Sequence, residues 1–131
     1  MNRSKEREQA FILVFEKAFN PESTIEDIFA LALESEFMEP SDFARTLATK
    51  TVENVAEIDA KIQEFAVGWT LSRITKVSLS ILRIAICEIL YMDDIPVGVS
   101  INEAVELAKQ YAGKEDSAFI NGVLGSISRA E

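Results

Sequence analysis

Apolar residues along the chain recur at steps of three and four, the spacing of one helix face, and no stretch reads as a convincing strand. Over residues 4–19, Phe11, Val14, Phe15 and Ala18 share one face, and Asn20-Pro21 ends the run. Ser23 and Glu26 have capping-box spacing, which opens a second helix reaching about Glu36 with Ile25, Ile28, Leu31 and Ala32 as its stripe. Pro40-Ser41 breaks the chain and caps a third helix that carries Phe43, Leu47, Val52, Val55, Ile58, Ile62 and Phe65 and stops at Gly68. That helix either runs on to Val67 or is interrupted near Glu57 to Asp59. Trp69 to Ile74 reads as a connector with a short helical turn, and Trp69 as the anchor of a junction between helical groups.

Val77 to Met92 is apolar on every side, which predicts a central, buried helix. Arg83 and Glu88 interrupt it five residues apart, poor spacing for a direct pair, so each is expected to meet something else. Asp93 to Pro96 is the exit loop. Ser100 and Glu103 again have capping-box spacing, so a helix should begin at about Ile101, with Ala104, Val105 and Ala108 on its face, and stop at Gly113. Ser117 is placed to cap a last helix striped by Phe119, Ile120, Val123, Leu124 and Ile127. Gly122 and Gly125 each cost that helix roughly 1 kcal/mol relative to Ala, which predicts another backbone or a ligand close to that face. The sum is an all-α fold of six or seven helices in one compact domain.

Composition adds exclusions. The chain has 131 residues, one cysteine and no histidine, so an internal disulfide and any histidine-based triad or zinc site are excluded. Cys87 reads as a small buried hydrophobe. There is no phosphate-cradling Gly-rich loop and no nucleophile elbow, so an enzyme and a bound cofactor are not expected. No apolar run is long enough to span a membrane, and the mixed-charge start Met-Asn-Arg-Ser-Lys-Glu-Arg-Glu is not a signal peptide, so a cytoplasmic location is expected. The net charge of −9 argues against nucleic acid as partner until its distribution is read. No basic residue lies between Lys17 and Arg45, where Glu22, Glu26, Asp27, Glu34, Glu36, Glu39 and Asp42 fall, so a local basic patch remains open elsewhere. Arg3, Lys5, Arg7, Lys109 and Lys114 supply cations for such a patch, and Phe15, Tyr111, Phe119 and Asn121 supply planar or amide groups for bases.

Three blocks carry a resemblance. They are Ile95-Pro96-Val97-x-Val99-x-Ile101-Asn102-Glu103-Ala104-Val105-Glu106-Leu107-Ala108-Lys109, then Phe119-Ile120-Asn121-Gly122-Val123-Leu124, and upstream Trp69-x-Leu71-x-Arg73-Ile74-x-x-Val77 with Ile81-Leu82-Arg83-Ile84-Ala85 and Glu88. In order and spacing the chain resembles the NusB family of bacterial transcription antitermination factors over nearly its whole length. The resemblance implies two packed three-helix subdomains, about 1–67 and 68–131. It implies binding of the boxA element of ribosomal RNA leader transcripts, together with the ribosomal protein that acts as NusE, within an antitermination complex of RNA polymerase. On it, Arg3, Lys5 and Arg7 correspond to an arginine-rich start, Phe15 stands where a tyrosine can occur, and Lys109, Tyr111, Phe119 and Asn121 form the C-terminal contribution to RNA. Arg83 and Glu88 fall in the half that meets the partner protein. The start departs from the family, being short and alternating with Glu6 and Glu8, which implies weak RNA binding without NusE. Two other readings stay open: a protein–protein adaptor of the same fold, and a detached form of the domain that precedes ribosomal RNA cytosine methyltransferases. Monomer and homodimer are both open, self-association through the RNA or NusE face being a storage state.

Overall fold

The computed structural model describes residues 1–130, and its described residues form seven α-helices, one 3-10 turn and no strand. The helices are α1 Arg3–Phe19, α2 Ile25–Glu34, α3 Asp42–Glu53, α4 Val55–Phe65, α5 Lys76–Tyr91, α6 Val97–Tyr111 and α7 Lys114–Ala130, with the turn at Leu71–Arg73 between α4 and α5. The all-apolar α5 is the central element, packed on α1, α3, α4, α6 and α7. Ile81, Leu82, Ile86 and Cys87 on it are buried completely. Burial pushes the Cys87 thiol above its ordinary range. No helix among the described residues is long and apolar enough to cross a membrane.

Several boundaries differ from those the spacing predicts, each for a local reason. Thr24, one residue past Ser23, caps α2, and its partner is Asp27 rather than Glu26. The Thr24 hydroxyl accepts from the Asp27 backbone N–H at 3.0 Å, and Asp27 returns the bond at 3.2 Å. Leu31, assigned to the stripe of α2, is 63% exposed. The third apolar run breaks at Asn54, earlier than Glu57 to Asp59, where the Asn54 amide donates to the Lys50 carbonyl at 2.8 Å and φ leaves the helical range. Ser100 does not cap α6. The helix starts four residues sooner, from Pro96, and Ser100 is buried within its first turns. Ser117 lies inside α7 and bonds the Lys114 carbonyl at 2.8 Å. Gly113, at φ +118°, separates α6 from α7 as the sequence predicts. Gly122 has no backbone or side chain close to it, and Gly125 meets only the flexible end of Arg129. The close approach inferred from these two glycines is absent among the described residues. Trp69 is half-exposed, with its ring centroid 5.4 Å from that of Phe119 on α7.

The end of α2 carries local strain. Glu36 sits at φ +56°, the left-handed region that disfavours a residue with a Cβ. It is held there because its N–H bonds the Leu33 carbonyl and the Phe37 N–H bonds the Ala32 carbonyl, both at 3.1 Å, the two reversed bonds of a Schellman stop. Glu36→Gly relieves that strain and gives back part of the gain as chain entropy. The expected net gain is about 0.5–1 kcal/mol in the free energy of unfolding by urea. An unchanged or lower value would mean that Glu36 makes compensating contacts.

Candidate nucleic-acid interface

The first turns of α1 lie along α6, and the two helices are tied by a ladder of polar side chains. At its buried end the Arg7 guanidinium donates to Glu88 of α5 at 2.7 Å, and Ser100 of α6 donates to the other oxygen of the same carboxylate at 2.7 Å. Arg7 also reaches Glu103 at 3.4 Å, and the Ser4 hydroxyl donates to that same Glu103 oxygen at 2.5 Å. Arg7 is 5% exposed and Glu88 is 1% exposed. Both charges are therefore matched inside the core, where an unmatched one would be costly.

Further along, Glu8 accepts from the Tyr111 hydroxyl at 2.5 Å and from the Gln110 amide at 3.0 Å. The Tyr111 bond, helped by nearby Lys5 and opposed by partial burial, holds the Glu8 carboxyl below its usual range. The same bond raises the Tyr111 phenol to about 12. A depressed carboxyl contributes stability that is present above its unfolded value and lost as pH falls through the folded one. A raised phenol contributes stability that is present below its unfolded value and lost as pH rises through about 12. Tyr111→Phe is thus expected to flatten both the acid and the alkaline arm of the stability curve. The cost near pH 7 should be under about 1 kcal/mol, because the pair is partly wet. Urea titrations between pH 3 and 6 and above pH 10 read this directly, and arms as steep as those of the parent would contradict it.

These ties leave a cleft of about 310 Å³ between α1 and α6, with Ser4, Lys5, Arg7, Glu8, Glu103 and Gln110 in its lining. Lys5 in that lining is 65% exposed, while Arg3, outside it at the start of α1, is 55% exposed. Neither is unopposed. Arg3 lies 3.8 Å from Glu6 and stacks over the Phe43 ring at 4.0 Å, and Lys5 lies 3.6 Å from Glu8. On α6, Lys109 is similarly exposed and 3.3 Å from Glu106. The Tyr111 ring is two-fifths exposed and rests on Phe11, with centroids 4.9 Å apart. Phe15 continues the aromatic row, tilted against Phe11 at 6.0 Å and edge-on to Phe19 at 4.9 Å.

Lys5 and the Tyr111 ring meet at Glu8 on this side of the molecule, whereas Arg3 lies over Phe43 of α3 and Lys109 pairs with Glu106 along α6, and Phe15 is half-buried beyond Phe11. The fold places Phe119 against Trp69 and leaves Asn121 and Lys114 exposed on α7. Arg7 and Glu88, assigned from the resemblance to RNA and to the partner protein, turn inward onto each other. Arg83 is likewise engaged within the chain, gripping Asp59 of α4 through two bonds of 2.9 Å. The inward turn of Arg7 had a sequence signal. It stands four residues before Phe11 and seven before Val14, on the buried stripe of α1 rather than on its polar side. Ser4, Glu8 and Gln110 belong to the same assembly and carried no motif that would single them out, while Glu103 was read as a capping residue and Phe43 as part of a helix stripe.

A model of the NusB family matches residues 4–129. The chain belongs to the NusB family. It is 43% identical to the transcription antitermination protein NusB of Natranaerobius thermophilus, over 98% of this chain and 95% of that protein. It is also 43% identical to that of Agathobacter rectalis, over 98% and 100%. Among solved structures, NusB of T. maritima superposes with a TM-score of 0.82 at 31% identity, covering 98% of this chain and 92% of the other. A NusB chain from a crystal structure of NusB and NusE with double-stranded RNA superposes over the full length of both chains with a TM-score of 0.85. At 24% identity that likeness speaks for the fold. The all-α architecture expected from the sequence is the architecture of these structures.

Proposed function

We propose that the protein is an RNA-binding transcription antitermination factor. It acts in the cytoplasm on boxA-type RNA of ribosomal leader transcripts, with the ribosomal protein that serves as NusE, as part of an RNA polymerase complex that reads through terminators, and it catalyses no reaction. The two halves of the chain, about 1–67 and 68–131, act as subdomains joined through α5. The observation that supports this reading is the match of the family model from residue 4 to 129, on a chain whose exposed Lys5 and Tyr111 ring meet at Glu8 and whose Arg3 and Lys109 add exposed cations to the same two helices. Cations hold the phosphates there, and the exposed aromatic face offers a base a stacking surface. Phe119, Asn121 and Lys114 extend the surface along α7.

The carboxylates beside each exposed cation lower its value as a phosphate ligand, because Glu6, Glu8 and Glu106 are repelled by the same backbone that Arg3, Lys5 and Lys109 attract. This favours a secondary reading in which the chain is chiefly a protein adaptor, and it is the reason NusE is needed to supply further positive charge. Fluorescence anisotropy with a labelled boxA RNA and NusE tests the site. Tyr111→Ala is expected to weaken binding by about tenfold, one stacked base being worth roughly 1–3 kcal/mol. Wild-type affinity in that variant would remove the α1–α6 side as the RNA surface.

A further inference from the structure

The acidic stretch between Lys17 and Arg45 has no role in the surface described above, and the structure gives it a shape. The second half of α1 and the whole of α2 diverge to leave an open groove of about 630 Å³. Its apolar lining includes Ile12, Leu13, Ile28, Leu31, Ala32 and Phe37. Leu31 and Phe37 are 63% and 66% exposed, and because both line this groove they extend one apolar patch rather than standing singly on the surface. Phe37 is not at a loose end, because the Schellman stop at Glu36 fixes its backbone against Ala32. Glu16, Asp27 and Glu34 stand in the same lining, and no cation does. The two nearest along the chain are held elsewhere. The Lys17 amine donates to the Pro21 carbonyl at 2.7 Å, and Arg45 donates to the Pro40 carbonyl and lies over the Phe29 ring.

The geometry points to this groove as a docking site for a basic amphipathic helix of a partner protein. An apolar floor takes residues at i, i+3, i+4 and i+7 of such a helix. An acid-only rim takes lysines or arginines flanking them, a complementarity that selects the partner and speeds its arrival. The lining runs from Ile12 on α1 to its C-cap Asn20 and from Asp27 on α2 to its C-cap Ser35, about 12 Å each, so it accommodates about two turns. RNA is repelled by this rim. A second copy of this chain presenting the same face would set like charges against each other. The inference does not depend on the RNA reading, since it concerns a different face.

The test uses a fluorescein-labelled 14-residue peptide with leucines on one helical face and lysines elsewhere, a scrambled peptide of the same composition, and the parent peptide with every lysine replaced by glutamate. The amphipathic basic peptide is expected to bind saturably, at least tenfold tighter than either control and more weakly in higher salt. Amide shifts in the NMR spectrum should fall between residues 12 and 37. Leu31→Ser with Phe37→Ser alters two exposed side chains, so the fold is kept, and should weaken binding tenfold or more. Glu16→Lys with Glu34→Lys should do the same by charge alone. Equal binding of the scrambled peptide, no saturable binding, or shifts centred elsewhere would overturn the inference. So would a concentration-dependent dimer in sedimentation that the Leu31/Phe37 variant abolishes, since the occupant would then be a second copy.

Discussion

Arg7→Ala is expected to lower the free energy of unfolding by about 3–5 kcal/mol, more than any substitution on the exposed side of α1. The reason lies in what remains behind. Glu88 is 1% exposed in the middle of the apolar helix α5, and without Arg7 its remaining partner among the described residues is the Ser100 hydroxyl. A buried carboxylate with one neutral donor must stay charged without compensation, take up a proton, or draw water into the core. Against a typical total of about 5–15 kcal/mol the loss would leave a marginal fold. Arg7→Met with Glu88→Leu removes both charges at similar volume and should recover most of the loss, because a matched buried pair contributes little beyond an apolar isostere. Arg83→Ala provides the contrast. Its partner Asp59 is more accessible and can be rehydrated, so the cost should stay near 1 kcal/mol. Urea unfolding of the four proteins orders them, and an Arg7→Ala protein as stable as Arg83→Ala would mean that Glu88 is not held by Arg7. In RNA titrations at a temperature where Arg7→Ala is still folded, its affinity should fall less than that of a Lys5 variant, which separates a scaffold role from a contact.

RNA binding should be weak without the partner and steeply dependent on salt with it. Arg3, Lys5, Lys109 and Lys114 are the exposed cations of the proposed surface, and three to four phosphate contacts to a single strand give a log–log salt slope of about −2 to −3. Between 50 and 200 mM salt, affinity should then fall roughly 15- to 60-fold. Arg3→Glu with Lys5→Glu removes two contacts and adds repulsion where Glu6 and Glu8 already stand. It should weaken binding at low salt by well over tenfold and flatten the slope by about one to two units, each lost phosphate contact taking roughly one. A variant that binds as tightly, with the same slope, would move the RNA elsewhere on the molecule.

The helical architecture was legible in the sequence because the apolar spacing is regular and α5 is apolar all round, so tertiary packing and local pattern agree. What spacing could not resolve was which of two adjacent hydroxyls caps a helix. Ser23 and Thr24 both offer an acceptor at the start of α2, each with a carboxylate three residues on, and the box closes on Thr24 and Asp27 in the register that starts the helix at the buried Ile25. Ser100 matched a capping pattern, yet Pro96 has the dihedral angles to start α6 four residues earlier, and the freed hydroxyl went to Glu88. The candidate site was legible in part. The carboxylates opposing Arg3, Lys5 and Lys109 stand three residues from them on the same helix and could be read from spacing, whereas the meeting of Lys5 and Tyr111 at Glu8 is visible only once α1 and α6 are set side by side. Arg7 and Glu88 are 81 residues apart, and pattern within a single helix cannot pair them. Glu88 did signal that it needed a partner from outside its own helix, and the place of Arg7 on the buried stripe of α1 was the matching half of that signal.

The most direct test of the functional account is the binding of a labelled boxA RNA to the protein with and without its cognate NusE, at 50 and 200 mM salt. Binding that tightens at least tenfold with NusE, weakens with salt, and fails in the Arg3→Glu/Lys5→Glu variant is the predicted result. A NusE complex that forms normally while RNA binds neither it nor the protein alone would contradict the RNA-binding account and leave a protein adaptor of the same fold.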